Sequence, residues 1–480
     1  MNGNTSQESK DIERLKKLYS EAKKLQMRMF WGEFKRSKMG MIGLSMLLAF
    51  ISISLSVPLI FPADFIYKWR NPVYWSDNPP VVPPEWWFRL TGTPYFPQTL
   101  LYKSWQEGTE YAVVTFKYDA SVLPRDIRVT IMLRAEDSAD ATFYFSVYRP
   151  DGNEIVLKRE VIVLNLAKGE SKTIEYDYFF ESDKKLKREL LSYFGFLEVD
   201  PIKASAVSMI FGKMSEDMWS RYRAEPLNGM YVFKAVIRGK GVRVVSLRIV
   251  LKGTAYGFMG TDNLGRDLFL GLMWGFPIAL LIGVSVSVAS VMISLFYGML
   301  SGYFGGMTDE VLQRIVDIFY CIPQLPILIL CAMVFGPHLS LIILLLVILS
   351  WPGGVKTIRA MALQIRESVY IEAARLSGAS HWWIIFKHMM PQVLPYAFAS
   401  MALGVPGAIL AEAGLSFLGL GDPSLPTWGQ ILHDAQAASA TVCGYWWWVI
   451  PPGLLIGLIG LTFALIGTAL NRILNPRLRY

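Results

Sequence analysis

Three stretches of the chain carry no Asp, Glu, Lys or Arg: Leu268–Thr308, Ile318–Val355 and Ala435–Asn471. Crossing the roughly 30 Å hydrocarbon layer of a bilayer takes about 20 apolar residues in a helix. Helix is the form to expect, because backbone groups left unpaired in lipid have no alternative partner. Together with the apolar run Met41–Phe61 and a further one near 391–416, these stretches predict six spans. They fall at about 41–61, 277–303, 312–335, 339–353, 391–416 and 446–470. The run 318–355 is too long for one crossing, and Gly336-Pro337 divides it into a hairpin of two.

Between the first span and the other five the pattern changes to alternation. AVVTFKYD, DIRVTIMLRA, ATFYFSVYRP, NEIVLKREVIVLNL, KTIEYDYFF, MYVFKAVIRG and VRVVSLRIVLKG read as strands, separated by turn signals such as Pro150-Asp151-Gly152-Asn153. Gly239-Lys240-Gly241 reads as a further hairpin turn. Several strands with short turns suggest a β-sandwich. KKLKRELLSYFGFL near 184–197 breaks the pattern as a helix, and the Pro- and aromatic-rich NPVYWSDNPPVVPPEWWFRLTGTPYFP reads as an extended linker. The domains expected are therefore a cytoplasmic amphipathic helix over 1–38, a first span over 39–62, an inserted extracellular β-rich domain over 63–256, and a helical core over 257–480.

Composition agrees with a membrane protein. Hydrophobic residues make up 53% of the 480 and charged residues 18%, and mean hydropathy is +0.35. Charge placement sets the orientation. Lys and Arg outnumber Asp and Glu before the first span, and Lys356, Arg359, Arg366, Arg375 and Lys387 fill the loop 354–390. Arg472, Arg477 and Arg479 follow the last span, whereas 417–445 has no Lys or Arg. Basic flanks stay cytoplasmic, so both termini are expected inside and the inserted domain outside, in a multi-pass protein of the cell membrane. The basic N-terminus is then explained by topology and anionic lipid headgroups without nucleic acid. Cys321, Cys331 and Cys443 lie outside the inserted domain and read as packing residues. The first apolar run begins too late for a removable leader, and the four histidines have no metal-ligand spacing.

The loop 354–390 carries the sharpest signal: Tyr370-Ile371-Glu372-Ala373-Ala374-Arg375-Leu376-Ser377-Gly378, then His388-Met389-Met390-Pro391. Small alanines let a short helix approach another protein closely, Gly378 would end it, and Glu372 and Arg375 offer ionic contacts at i and i+3. The stretch resembles the EAA loop of ABC-importer permeases, with Met390 where Leu is usual. Gly260–Leu268, GYFGG at 302–306, RIVDIF at 314–319, EAGLSFLGLG at 412–421, Thr427-Trp428-Gly429-Gln430 and Asn475–Arg479 resemble the oligopeptide/dipeptide (and nickel) permease family, specifically the second of its paired subunits. The resemblance covers about 30–62 and 258–479 and leaves the insertion unexplained.

It implies a type I ABC importer permease fold of six transmembrane helices that moves oligopeptides, dipeptides or oligosaccharides inward. The implied partners are a homologous second permease subunit, two cytoplasmic ATPases that bind ATP and magnesium, an external substrate-binding protein, and lipid. Tyr370, Glu372, Ala373, Ala374, Arg375 and Gly378 would form the ATPase-coupling element. The chain has no G-x-x-x-x-G-K-[ST] of its own, so no cofactor is expected in it and it is not expected to be an enzyme.

Other candidates carry alternatives. Asp317 and Glu412 are candidates for the translocation path or its gate. Against that, Asp317 fits an interfacial pair with Arg314, and Glu412 fits a marker of the outer interface. Asn263, Arg266 and Asp267 fit the capping and orienting of an external interfacial helix, with substrate contact as the alternative. A membrane-anchored receptor or assembly protein acting through its β-domain is the competing reading of the whole chain, followed by a channel or proton-coupled transporter; a docking helix in the loop 354–390 is needed by neither.

Overall fold

A computed structural model describes residues 28–29, 31–61, 64–104, 111–165 and 170–474. Most of the helix expected over 1–38 and the terminal Asn475–Arg479 lie outside the described residues. The chain divides into two compact units. One comprises 1–70, 270–443 and 449–480, and the other 71–269 with 444–448.

The first unit is helical. Its elements are α1 (Lys38–Ile60), α2 (Leu268–Phe304), α3 (Gly306–Cys321), α4 (Gln324–Phe335), α5 (Leu339–Ser350), α6 (Pro352–Arg366), α7 (Val369–Leu376), α8 (His381–Leu420, with π turns at Ile384–Met389 and Ser416–Leu420), α9 (Trp428–Ala437) and α10 (Trp446–Leu474). Five helices among the described residues are long and apolar enough to cross a membrane: α1, α2, α5 with α6, α8 and α10. The predicted span 312–335 is two helices, α3 and α4, bent by 75° at the Ile322-Pro323 break, the geometry of a broken span or of a re-entrant loop. The helix predicted over 339–353 runs on to Arg366, because Pro352 stands at a first-turn position that needs no N–H.

These helices pack through small residues, which replace the hydrophobic drive that lipid removes. On α2, Ser294, Gly298 and Gly302 recur every four residues along one face. A Cβ on Gly302 would lie 2.6 Å from Ala362 Cβ, and one on Gly298 would lie 2.9 Å from Ile358 Cβ. Gly283 gives α8 the same access at Val405 and Ile409. Gly43 of α1 packs on Ile466 of α10. Thr427 caps α9 by accepting from Gln430 N (3.1 Å), and the Trp428 indole donates to Leu272 O (3.0 Å) beside Gly275.

The second unit holds one six-stranded antiparallel sheet: β1 (Thr99–Ser104), β2 (Tyr111–Tyr118), β3 (Asp126–Tyr148), β4 (Glu154–Asn165), β5 (Ser171–Phe179) and β6 (Gly229–Lys252). Two strands of 23 and 24 residues, β3 and β6, pair with each other down the middle. β5 and β4 flank successive halves of β3, and β1 and β2 flank the two halves of β6. The ladder is thus continuous, in place of the two separate sheets of the expected sandwich. Segments that read as separate strands are joined where the β3–β6 register shifts between Ala135 and Asp140. Gly239 and Gly241, at φ +141° and +76°, supply that irregularity inside β6 and do not form the expected hairpin turn. Ile127, Val129, Ile131, Leu133, Phe143, Phe145 and Val147 of β3 are fully buried, and the helices Lys184–Tyr193 and Ala206–Phe211 add Leu190, Val207 and Ile210 to the same core.

The expected extended linker is not extended throughout: Pro72–Trp75 and Glu85–Thr91 within it are short helices, and Phe65–Trp69 just before it is another. Pro72 follows an Asn71 cap whose side chain accepts from Val73 N (3.0 Å), which makes proline a helix starter here. Asp77 then reaches the sheet. It accepts from Arg128 Nη1 (2.5 Å) and from Arg248, while Asp177 takes Arg128 Nη2 (2.6 Å).

Candidate functional site

The segment singled out by sequence is α7, eight residues that stand on one buried side chain. Ile371 is fully buried, in a cluster with Leu295 and Met299 of α2, Ile358 and Ala362 of α6, and Ile384, Ile385 and Met389 of α8. Val369 and Leu376 are 82% and 84% exposed, although both are apolar, and Tyr370, Glu372, Ala373 and Arg375 are exposed with them. The helix ends in a Schellman motif: Gly378 N donates to Arg375 O (2.9 Å) and Ala379 N to Ala374 O (3.1 Å). Gly378 makes this possible at φ +82°.

Charges around α7 take partners other than those expected. Glu372 forms no ion pair among the described residues. Arg375 lies over the Tyr303 ring at 5.2 Å, a cation–π contact with the end of α2. The Tyr303 hydroxyl is 2.8 Å from His381 Nδ1, and Arg366 Nη1 reaches Tyr303 O (3.4 Å). Tyr303 therefore joins the ends of α2 and α6, the start of α8, and α7. Tyr370 accepts from Gln392 Nε2 of α8. Tyr303, His381 and Gln392 were not singled out by sequence. Only GYFGG at 302–306 flagged the position of Tyr303.

Asp317 does not pair with Arg314. It binds Lys356 Nζ (2.9 Å), and Arg314 lies 3.8 Å from Glu310. On a helix 314 and 317 are neighbours, but α6 brings a closer cation. The strongest ionic contact here was missed by sequence. Arg359 is bidentate on Asp309, with Nε–Oδ1 at 2.6 Å, and Asp309 also accepts from Ser301. Gln313 donates to Ser301 Oγ (2.8 Å), so α2, α3 and α6 are tied at one point.

A cavity of about 500 Å³ opens between α2, α4, α5, α6 and α8. Its polar lining is hydroxyl and amide only: Ser287, Ser290, Ser294, Gln324, Tyr396 and Ser400 are among its residues, and no charged side chain is. Ser290 Oγ is buried with no partner among the described residues. Neither Asp317 nor Glu412 lines this space. Glu412 is 4% exposed and accepts from Ser416 Oγ (2.6 Å), beside Thr427, Trp428 and Gly429. It braces α8 against α9. The serines carried no sequence signal, since a Ser in an apolar helix also bonds its own i−4 carbonyl.

Before α2, Asp267 accepts from Phe269 N (2.9 Å) and so caps the span-length helix itself, in place of the separate interfacial helix expected there. Asp262, not singled out, is fully buried, ion-paired to Arg266, and accepts from Leu264 N (2.9 Å) and Arg266 N (2.8 Å).

The first unit thus combines five apolar helices of span length with a short exposed helix, α7, between α6 and α8. Residues 294–480 match the family model for the binding-protein-dependent transport system inner membrane component. This chain is accordingly a multi-pass membrane permease subunit of an ABC transporter, in which the ATPase lies on other subunits.

Residues 26–80 match the N-terminal TM domain of oligopeptide transport permease C. The dipeptide transport system permease protein DppC of Bacillus subtilis is 35% identical over 230 residues, covering 48% of this chain and 71% of the relative. The oligopeptide transport system permease protein OppC of the same organism is 35% identical over 223 residues, 46% and 72% of the two chains. OppC of Haemophilus influenzae is 36% identical over 223 residues, 46% and 71%. The chain belongs to the oligopeptide/dipeptide permease family of ABC transporters. A solved methionine ABC transporter in inward-facing conformations, MetNI, is 20% identical, with a TM-score of 0.35 over 42% of this chain and 97% of that one. The two family models leave 81–293 unmatched, and most of the β-rich unit lies there.

Proposed function

We propose that this chain is one of two paired transmembrane subunits of an importer that moves peptides across the cell membrane, and that α7 is the element through which ATPase subunits drive it. The observation that carries this is the contrast along α7. Ile371 is fully buried, while Val369, Tyr370 and Leu376 face outward from the described chain. Exposed apolar side chains on a short, rigidly ended helix suit a groove on another protein. Tyr303 and Ile371 link that helix to α2, α6 and α8, the helices around the cavity. Movement of α7 would then be passed to the cavity walls as rigid-body gating of the spans. ATP and magnesium would bind the partner ATPases, and a homologous permease subunit would complete the path.

The serine-lined cavity suits a peptide. Its hydroxyls and amide pair with backbone groups without selecting a charge, which leaves selection to an external binding protein. In this reading both termini lie in the cytoplasm and the β-rich unit outside, with the α3–α4 pair as a sixth, broken crossing; basic residues at 354–390 and after the last span support that orientation. The β-rich unit emerges on the face where a binding protein arrives and is read as its docking partner. The receptor reading loses support, because it gives α7 no role.

Co-expression with the cognate ATPases tests the central claim. Leu376→Asp and Glu372→Ala should reduce ATPase co-purification and peptide-stimulated ATP hydrolysis in liposomes, while membrane insertion and melting stay unchanged. Undiminished co-purification and hydrolysis with both variants would refute the role of α7. Deleting 75–250 should weaken capture of the binding protein and leave ATPase binding intact; unchanged capture would remove the docking role.

A further inference from the structure

The helix Glu85–Thr91 (EWWFRLT) is sided. At 3.6 residues per turn, Trp86, Leu90 and Trp87 fall within an arc of roughly 100°, and Glu85 and Arg89 lie opposite. The apolar arc is left open, with Leu90 74% exposed and Trp86 and Trp87 36% and 37% exposed, and Arg89 on the polar side is open as well, with 71% of its side chain exposed. Phe258, 59% exposed, extends the surface, and its carbonyl accepts from the Trp86 indole (2.8 Å). The helix is fixed in place. Glu85 N donates to Gly257 O (3.1 Å), and Gly92 ends it at φ +68°.

What covers this surface follows from what it adjoins. Trp446, in the same unit, stacks against it, with ring centroids 4.9 Å from Trp87 and 5.7 Å from Trp86. Trp446 is also the first residue of the apolar helix Trp446–Ile473. A residue at the end of a span sits at the boundary between headgroups and acyl chains. Tryptophan favours that level, because its ring is apolar and its N–H polar. A cluster stacked on Trp446 lies at the same depth, and an apolar arc left open there faces lipid.

We propose that Glu85–Thr91 is an interfacial anchor that lies in the membrane surface, with Trp86, Trp87, Leu90 and Phe258 in the headgroup–acyl boundary. Helices of this kind bury their apolar face by roughly 5–10 Å. The inference holds whichever side of the membrane the β-rich unit occupies.

The test is depth measured at Leu90. A nitroxide is attached at Leu90→Cys in the full chain, in liposomes of phosphatidylcholine and phosphatidylglycerol, with Cys321, Cys331 and Cys443 changed to Ser. The reference is the same label at Val163→Cys on β4, which is 63% exposed. The ratio of oxygen to water-soluble nickel-chelate collisions should be about tenfold higher at position 90, since apolar oxygen concentrates where a charged chelate is excluded. A benzoylphenylalanine at position 90, with the native cysteines kept, should crosslink to phospholipid. Equal ratios at 90 and 163 would overturn the proposal by placing the helix in water. Protection from both reagents, with crosslinking to a protein, would overturn it in favour of a second subunit over the patch.

Discussion

Gly378 offers a clean separation of backbone from packing. It holds φ +82°, and a Cβ built on it meets nothing within 4 Å. Gly378→Ala therefore adds no clash, and its cost is conformational. An L-residue with a Cβ in the left-handed region loses about 1–2 kcal/mol relative to glycine. Asparagine enters that region more readily, so Gly378→Asn should cost less. The amides of Ser377, Gly378 and Ala379 report the effect, because they donate to Ala373, Arg375 and Ala374 carbonyls only while the cap is formed. A loss of 1–2 kcal/mol raises the open population by roughly 5–30-fold. Hydrogen exchange of these amides in detergent or nanodiscs should accelerate by that factor in Gly378→Ala, less in Gly378→Asn, with exchange in α2 and α8 unchanged. Peptide-stimulated ATPase activity should fall in the same order. Unchanged exchange in Gly378→Ala, or equal acceleration in both variants, would refute the conformational account.

Gly302→Val should destabilise the helical unit by about 1–3 kcal/mol through overpacking, since Ala362 Cβ is already within 2.6 Å of the first added carbon; Gly407→Val, with open space at its Cβ, is the control in a detergent melting assay. Arg128→Met should cost about 3–5 kcal/mol by leaving Asp77 and Asp177 without the 8%-exposed guanidinium between them, read as lower melting of the β-rich unit or protease sensitivity within it. Asp183 caps the helix Lys184–Tyr193; partial burial pushes its carboxyl up, but the Leu186 and Lys185 N–H groups and Lys158 outweigh this and hold it below the ordinary carboxylate range. Its stabilisation is then full above the ordinary carboxylate pKa and lost as pH falls through the depressed folded value. Asp183→Asn should keep most of the cap at neutral pH and remove that acid-side slope, whereas Asp183→Ala should cost about 1 kcal/mol at neutral pH; exchange rates at Leu186 against pH distinguish them.

Spans were legible because hydrophobicity in a membrane is a one-dimensional property. A long run without charges has few other uses, and Leu268–Thr308 or Ala435–Asn471 announces itself. Caps were legible for the same local reason. The helix end at Gly378 and the Pro150–Asn153 turn each depend on residues within one turn of chain. Contacts between elements were not. Asp317 was assigned to Arg314 because sequence displays only neighbours along one helix, and the Lys356 that binds it stands on another. Arg375 was matched to Glu372 for the same reason, while Tyr303, some seventy residues earlier, holds its guanidinium. The strand at 126–148 reads as two because the polar stretch 136–140 interrupts its alternation, and the strand at 229–252 reads as two because a bulge and a turn both use glycine. The two differ only in whether a partner strand continues alongside.

The same logic explains why the cavity escaped notice while Glu412 attracted it. An ionisable residue in an apolar run is conspicuous, and the default is to give it function. Yet Glu412 is buried against Ser416 and next to α9, where a carboxylate can be fully occupied by bracing. The cavity walls are instead written in serine, glycine and one glutamine, which look like ordinary packing residues. Ser294 belongs to both readings. It recurs with Gly298 and Gly302 on the face of α2 that packs α6, donates to Trp351 O, and also borders the cavity. A face chosen for close helix approach thus ends in a space of about 500 Å³, and relative motion of α2 and α6 changes the width of that space directly. Since Tyr303 and Ile371 attach α7 to those two helices, the shortest mechanical route from the exposed helix to the cavity runs along the glycine face of α2. Gly302→Val should consequently weaken the link between ATP hydrolysis and peptide uptake even when measured below its melting temperature. In liposomes, uptake per ATP hydrolysed should drop while ATPase binding persists. An unchanged ratio would place the coupling route elsewhere in the bundle.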